Sequence, residues 1–352
     1  MGKFKLLSAI AVFTTILSCT KSNHSGNPGN GGTNGSTGTV YVAGFDGNVA
    51  EVWKNGKPTK LTDGTHQARA SSVFVSGTDV YVAGFENNGT VAVAKIWKNG
   101  TPTALTDGTK SASLSSVFVS GTDVYAVGQQ MVSNSVNTAT IWKNGVAIAL
   151  TDGTKDAFAN SVFVSGTDVY VAGYEASVNY AYTAKIWKNG VATNLSNGID
   201  DAMANSVFVS DTNVYVAGEI SNSTGSYIAT VWKNGRPSAL TDGTRTAQAF
   251  SIFVSGSDVY VAGNEESPSP TGPSNVYNSV AAVWKNGAET LLEDYTKATS
   301  AAGIFVDGST VYVSGDDEGD GTNFIAKSWT NGVVTSLTSG TQLAAAGGIF
   351  VK

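Results

Sequence analysis

Seven tryptophans recur through this chain at nearly one interval. Trp53, Trp97, Trp142, Trp187, Trp232, Trp284 and Trp329 are separated by 44, 45, 45, 45, 52 and 45 residues. A tyrosine in a VYV-like context keeps the same phase from Tyr41 to Tyr312, and the phenylalanine of a VFV-like stretch keeps it from Phe74 to Phe350. A fixed period of this length is the sequence signature of a repeat architecture, in which each unit buries its apolar face against its neighbours.

One unit divides into four short apolar, β-branched segments. "SVFVS" is strand A, "DVYVAG" strand B, "AKIW" strand C and "PTAL" strand D. Each has the composition of a buried strand of about five residues. "SGTD" joins A to B as a tight turn, and the Asn-Gly of "KNG" joins C to D as a strong hairpin signal. All neighbours are therefore antiparallel. The D-to-A link has one length throughout, 12 residues from Leu61 to Val73 and again from Leu337 to Ile349.

Four antiparallel strands repeated seven times predict an all-β, seven-bladed β-propeller over residues 39–352. The two ends of the repeat array are each half a motif. "VYVAG" at 40–44 is a B strand with no A before it, and "IFVK" at 349–352 is an A strand with no B after it. Together they complete one blade, so strand 349–352 is expected to pair with strand 40–44 and close the ring. The order of elements resembles kelch-type propellers, where a VYV-like strand follows a V-rich inner strand and a tryptophan marks each blade. The double glycine of kelch is replaced by a single one, and the Trp-Asp ending of WD40 repeats is absent. The resemblance therefore implies architecture only.

The first 18 residues read as a signal peptide: Lys3 and Lys5 precede an apolar run from Leu6 to Leu17 that is too short for a permanent span. "ILSC" resembles the bacterial lipobox, which implies cleavage after Ser18, lipid on Cys19 and a place in the bacterial cell envelope. Cys19 is the only cysteine, so no disulfide is available. Residues 20–38 are Gly/Asn/Ser-rich and read as a flexible tether with a mean reach of roughly 24 Å. Without Lys3 and Lys5 the chain holds 19 Lys+Arg against 27 Asp+Glu, a net charge of −8. That disfavours nucleic acid and anionic lipid as partners, leaving the lipid on Cys19 as the membrane contact. A monomer is expected.

Specificity has to come from what varies between repeats. The A–B and C–D turns are nearly identical, whereas the B-strand glycine and the C-strand tryptophan are separated by 8, 12, 13, 13, 13, 20 and 13 residues. Aromatics outside the repeat pattern fall in the B–C and D–A connections, among them Tyr180, Tyr182, Tyr227, Tyr277, Phe324, Phe158 and Phe250. Two D–A positions also vary, contributing Arg69 at one and Asn160 and Asn205 at the other. These ten residues are the candidate ligand contacts, because binding surfaces concentrate aromatic and arginine side chains. Phe45, Phe85 and Tyr174 directly follow strand B and extend the core in this reading.

Catalytic groups are sparse. The two histidines are His24, in the tether, and His66, alone in a link. No Cys/His cluster offers a zinc site, and no cofactor is expected. "DDEGDG" at 316–321 lacks the spacing of an EF-hand loop and reads as a solvated acidic loop. The expectation is a lipid-anchored, non-enzymatic propeller that recognises a glycan or a protein on its B–C/D–A face. The alternatives are a polysaccharide-acting enzyme, hydrolase or lyase, using Asp156, Asp200 and Asp201, and a structural surface assembly protein.

Overall fold

The computed structural model describes residues 38–133, 136–177, 181–268, 278–319 and 323–352. The signal peptide, Cys19 and residues 20–37 of the tether lie outside the described residues. The chain forms seven four-stranded antiparallel sheets. Blade two shows the pattern: β4 (Ala68–Ser76), β5 (Asp79–Asn87), β6 (Ala92–Lys98) and β7 (Thr101–Ala104) follow each other from axis to rim. Blade one is assembled from both chain ends, in the order β28 (Ala344–Val351), β1 (Val40–Asp46), β2 (Val49–Lys54) and β3 (Lys57–Lys60). Tyr41 pairs with Phe350 and Val42 with Ile349, and Thr39 and Lys352 exchange backbone hydrogen bonds of 2.6 and 3.0 Å. The ring closes as the sequence predicts.

The C–D turns place Asn and Gly both at positive φ, Asn99 at 49° and Gly100 at 81° in blade two. This is the geometry Asn-Gly hairpins favour. The asparagine side chain adds a peg: Asn99 Oδ1 accepts from Val80 N at 2.8 Å and its Nδ2 donates to Asp79 at 2.8 Å. Asp79 also pairs with Lys98 at 2.7 Å. Lysine and aspartate of these repeats are thus committed to holding the turn face together.

The inner strands are longer than expected. "ARAS", read in sequence as the end of the D–A link, is the first part of β4. It was hidden because each inner strand carries a β-bulge, here between Ala70 and Ser72, that breaks the two-residue alternation. The bulge also explains the single conserved-in-repeat glycine of "VYVAG". A Cβ on Gly84 would lie 2.0 Å from Arg69 O, and one on Gly173 would lie 2.0 Å from Phe158 O.

Neighbouring blades are joined by three recurring contacts. The recurring part of the first is burial: all seven tryptophans are almost wholly buried, while only Trp232 Nε1, to Leu195 O at 3.0 Å, and Trp329 Nε1, to Glu293 at 3.1 Å, donate to the preceding blade among the described residues. A serine after the bulge accepts a hydrogen bond from the next inner strand: Val207 N donates to Ser161 Oγ at 3.1 Å and Ile252 N to Ser206 Oγ at 3.1 Å. Blade seven has Gly303 at that position, and its B strand carries Ser314 where most others have alanine. The Ser314 hydroxyl donates to Gly347 O, so the link to blade one is preserved from a different strand.

The third contact is a collar. Phe74, Phe118, Phe163, Phe208, Phe253, Phe305 and Phe350 form a closed cycle around the axis, each ring centroid 4.9–5.3 Å from the next. None is more than 8% exposed. Each phenylalanine lies one or two residues before the end of its A strand, so the collar narrows the axis near the A–B turns, at the end opposite the B–C/D–A face.

Two outcomes test this account. Deleting residues 347–352 removes Phe350 from the collar and unpairs β1, and should lower Tm by at least about 10 °C, whereas deleting 20–38 should shift it by no more than about 2 °C. Gly173→Ala should cost at least about 2 kcal/mol in urea unfolding, because its methyl group would displace backbone.

Candidate functional site

On the open face, the bulge sets two side chains per blade beside the axis, one on strand A and its cross-strand partner on strand B. The pairs are Ala345/Phe45, Arg69/Phe85, Ser113/Gln129, Phe158/Tyr174, Met203/Glu219, Gln248/Asn264 and Ser300/Asp316. Every one differs from the others, although the flanking VYVAG framework hardly changes.

One side of the mouth is filled. Phe158, Tyr174 and Tyr182 pack together, with centroids 5.0 Å apart for Phe158–Tyr174 and 4.9 Å for Tyr174–Tyr182. Burial raises the Tyr182 and Tyr227 hydroxyls above their ordinary range, with help from the Asp201 carboxylate. Beside them, a polar chain crosses three blades. Asn160 Nδ2 donates to Ala204 O at 3.1 Å and Asn205 Oδ1 at 3.3 Å. Asn205 Nδ2 donates to Ala249 O at 3.0 Å and Glu219 Oε2 at 2.7 Å. Gln248 reaches the other Glu219 oxygen at 3.4 Å. Glu219 is 1% exposed, and burial pushes its carboxyl up to about 8 despite the two amides.

The opposite side is open. Small residues at the inner strands of blades seven and one, including Ser300, Ala302, Ala345 and Gly347, leave a cavity of about 460 Å³. Phe45, Phe85, Phe324 and Leu343 provide apolar wall, and Arg69, Gln67, Asn264 and Asp316 provide its larger polar groups. The Arg69 guanidinium lies 3.5 Å from the Phe45 ring centroid, and Nη1 donates to Gly47 O and Ala68 O, both at 2.9 Å. Burial lowers its pKa to about 10, which leaves it charged at neutral pH. Asp316 sits deep in the mouth and meets solvent through the cavity it lines. Burial, then the neighbouring Asp317 charge, pushes its carboxyl up to about 7.

Of the ten candidate contacts, Arg69 and Phe324 line the cavity. Phe158, Tyr182 and the half-buried Tyr227 stand on the filled side. Asn160, Asn205 and Phe250 are 4%, 0% and 1% exposed, with both asparagine amides engaged between blades. Tyr180 and Tyr277 lie outside the described residues. Asp156 accepts from Asn137 N at 2.7 Å and Asp201 from Tyr182 N at 2.7 Å, so each carboxylate anchors the start of a C strand. Asp200 is exposed. In the acidic run, Asp317 turns away from the cavity to pair with Lys327 at 2.8 Å. Consecutive strand residues point to opposite faces, so Asp316 and Asp317 do not converge on one point. Among the described residues no group of three or more His, Cys, Asp or Glu is gathered as a metal site.

The B-strand series was missed in sequence. The core reading holds for Phe85, 7% exposed, which lines the cavity as well, whereas Asp316 lies on a strand rather than in a loop, and Glu219 and Asn264 are additional members. The signal was available: the residue after the VYVAG glycine takes six identities in seven blades, as Phe45, Phe85, Gln129, Tyr174, Glu219, Asn264 and Asp316.

No family model and no curated protein matches the sequence. Solved structures do match, at low identity. A puromycin-hydrolysing peptidase of Mycobacterium tuberculosis gives a TM-score of 0.55 at 13% identity, over 85% of this chain and 53% of that one. An acylaminoacyl peptidase of Pyrococcus horikoshii gives 0.52 at 13%, over 86% and 50%. This chain therefore spans about half the length of either enzyme. The β-propeller domain of the Trilobed protease of Pyrococcus furiosus, described as having an open velcro topology, gives 0.50 at 11%, over 86% and 95%. The chain is a seven-bladed propeller resembling the propeller domains of peptidases. Unlike an open ring, it is clasped by β28 on β1.

Glu219 makes stability depend on pH. Its carboxyl holds a proton to about pH 8 in the fold and only to about 4.5 when unfolded. The native state binds the extra proton between those values, so stability falls as pH rises through that window. Asp316 acts in the same sense between 3.8 and about 7. Urea unfolding at pH 5 and pH 8 should show a loss on the order of a few kcal/mol, and Glu219→Gln should make it clearly smaller.

Proposed function

We propose that this protein is a non-enzymatic binding module, anchored through lipid on Cys19 in a bacterial cell envelope, that takes its ligand at the open mouth of the propeller. The observation that carries this reading is the cavity of about 460 Å³ over a constricted axis. It is bordered by the side chains that vary from blade to blade. Ligand sites are typically concave, mostly apolar and supplied with a few polar groups, and this cavity has that character. Its apolar wall suits a protein or peptide side chain better than a glycan, whose many hydroxyls each need a polar partner.

The enzymatic alternative draws on Asp316, whose raised carboxyl would suit a general acid. Cleavage of a glycosidic bond uses two carboxyl groups flanking it. Asp316 is the sole carboxyl among the described residues lining the cavity.

The test is occlusion. Ligands found by screening residues 39–352 against peptide and glycan arrays should lose at least about tenfold in affinity with Ser300→Trp, which places an indole in the cavity, while Tm stays unchanged. A ligand indifferent to both Ser300→Trp and Phe324→Ala is bound elsewhere, and that result would sink the reading.

A further inference from the structure

Arg69 is the one cation among the seven equivalent inner-strand positions; the others are Ser113, Phe158, Met203, Gln248, Ser300 and Ala345. Its guanidinium is laid flat on Phe45, and one nitrogen is held by the carbonyls of Gly47 and Ala68. These contacts orient the fork without neutralising it. Among the described residues no carboxylate pairs with Arg69, and its remaining N–H groups have no protein partner. Taking a cation out of water is costly unless an anion meets it. A chain with net charge −6 had acidic residues to spare for that purpose, yet none is placed there. Planar, bidentate recognition of carboxylate is what an oriented guanidinium does best.

The surroundings restrict which carboxylate fits. The cavity wall is predominantly apolar, and Leu343 at its edge remains 42% exposed. An acidic side chain would bring no apolar group to cover that wall. A chain terminus ending in an apolar residue carries a carboxylate and an apolar side chain on one carbon. Farther round the mouth, Asn264 and Asp316 offer an amide and a carboxyl, and the Asp316 carboxyl has no hydrogen-bond partner among the described residues. They suit the N–H and C=O groups of a penultimate peptide unit. A simple aliphatic acid would leave them unmatched.

We infer that the cavity captures the free C-terminus of a protein or peptide ending in an apolar residue, with the carboxylate on the Arg69 fork and the terminal side chain against the apolar wall. This rests on reading the mouth as the binding site.

Calorimetric titration of residues 39–352 with N-acetylated tripeptides ending in leucine or phenylalanine tests it. Each is used as free acid and as C-terminal amide, with octanoate as a comparison. The free acids should bind at least about tenfold more tightly than the amides, since a charge-assisted pair is lost. Arg69→Gln should make acid and amide equal, and Arg69→Lys should retain part of the preference. The acid–amide comparison on the unaltered protein stands even where a variant folds poorly. Equal binding of acid and amide, octanoate binding as tightly as the free acids, or no binding of any peptide up to about 5 mM would each overturn the inference. The broader reading fails separately, only if ligands are indifferent to the occlusion of the cavity.

Discussion

The pairing of β28 with β1 is the contact on which the rest depends. Each blade buries its tryptophan and the faces of its strands only because another blade stands on either side. An open array would expose two such faces, and the cycle of seven phenylalanines would lose its continuity at Phe350. Closure also completes the collar, which narrows the axis at the end opposite the variable side chains.

The inner-strand bulge connects fold to site. It brings the strand A backbone so close to strand B that only glycine fits opposite, and it re-aims the residues on either side. One consequence is structural: the displaced asparagines and serines reach the next blade. The other is functional: the partners flanking the glycine, such as Arg69 and Phe85 or Ser300 and Asp316, face the mouth. A single backbone irregularity, copied seven times, therefore supports both a constant frame and a variable rim.

The rim is divided by side-chain size. Phe158, Tyr174 and Tyr182 fill one side and Glu219 is sealed with its amide partners beside them. Across the axis, alanine, glycine and serine leave space. Polar groups on the two sides have correspondingly different states. Glu219 is satisfied by amides and held neutral, whereas Arg69 and Asp316 have no ionic partner among the described residues around the open cavity.

Seven tryptophans at a steady interval, Asn-Gly hairpins and the complementary half-motifs determined the strand order, the antiparallel pairing, the blade count and the clasp. These are local or periodic properties, and periodicity survives in one dimension. The site was only partly legible. Arg69 and Phe324 stood out by type and position, but Asn160, Asn205 and Phe250 vary just as much and are buried between blades. Variation in a column does not reveal which way a bulged residue points. Nor could the sequence show that Ser300, Ala302, Ala345 and Gly347 lie side by side. Ser300 and Ala302 meet Ala345 and Gly347 only when consecutive blades pack, Phe45, Arg69 and Phe85 join them only when the ring closes, and the cavity is the space the small side chains leave.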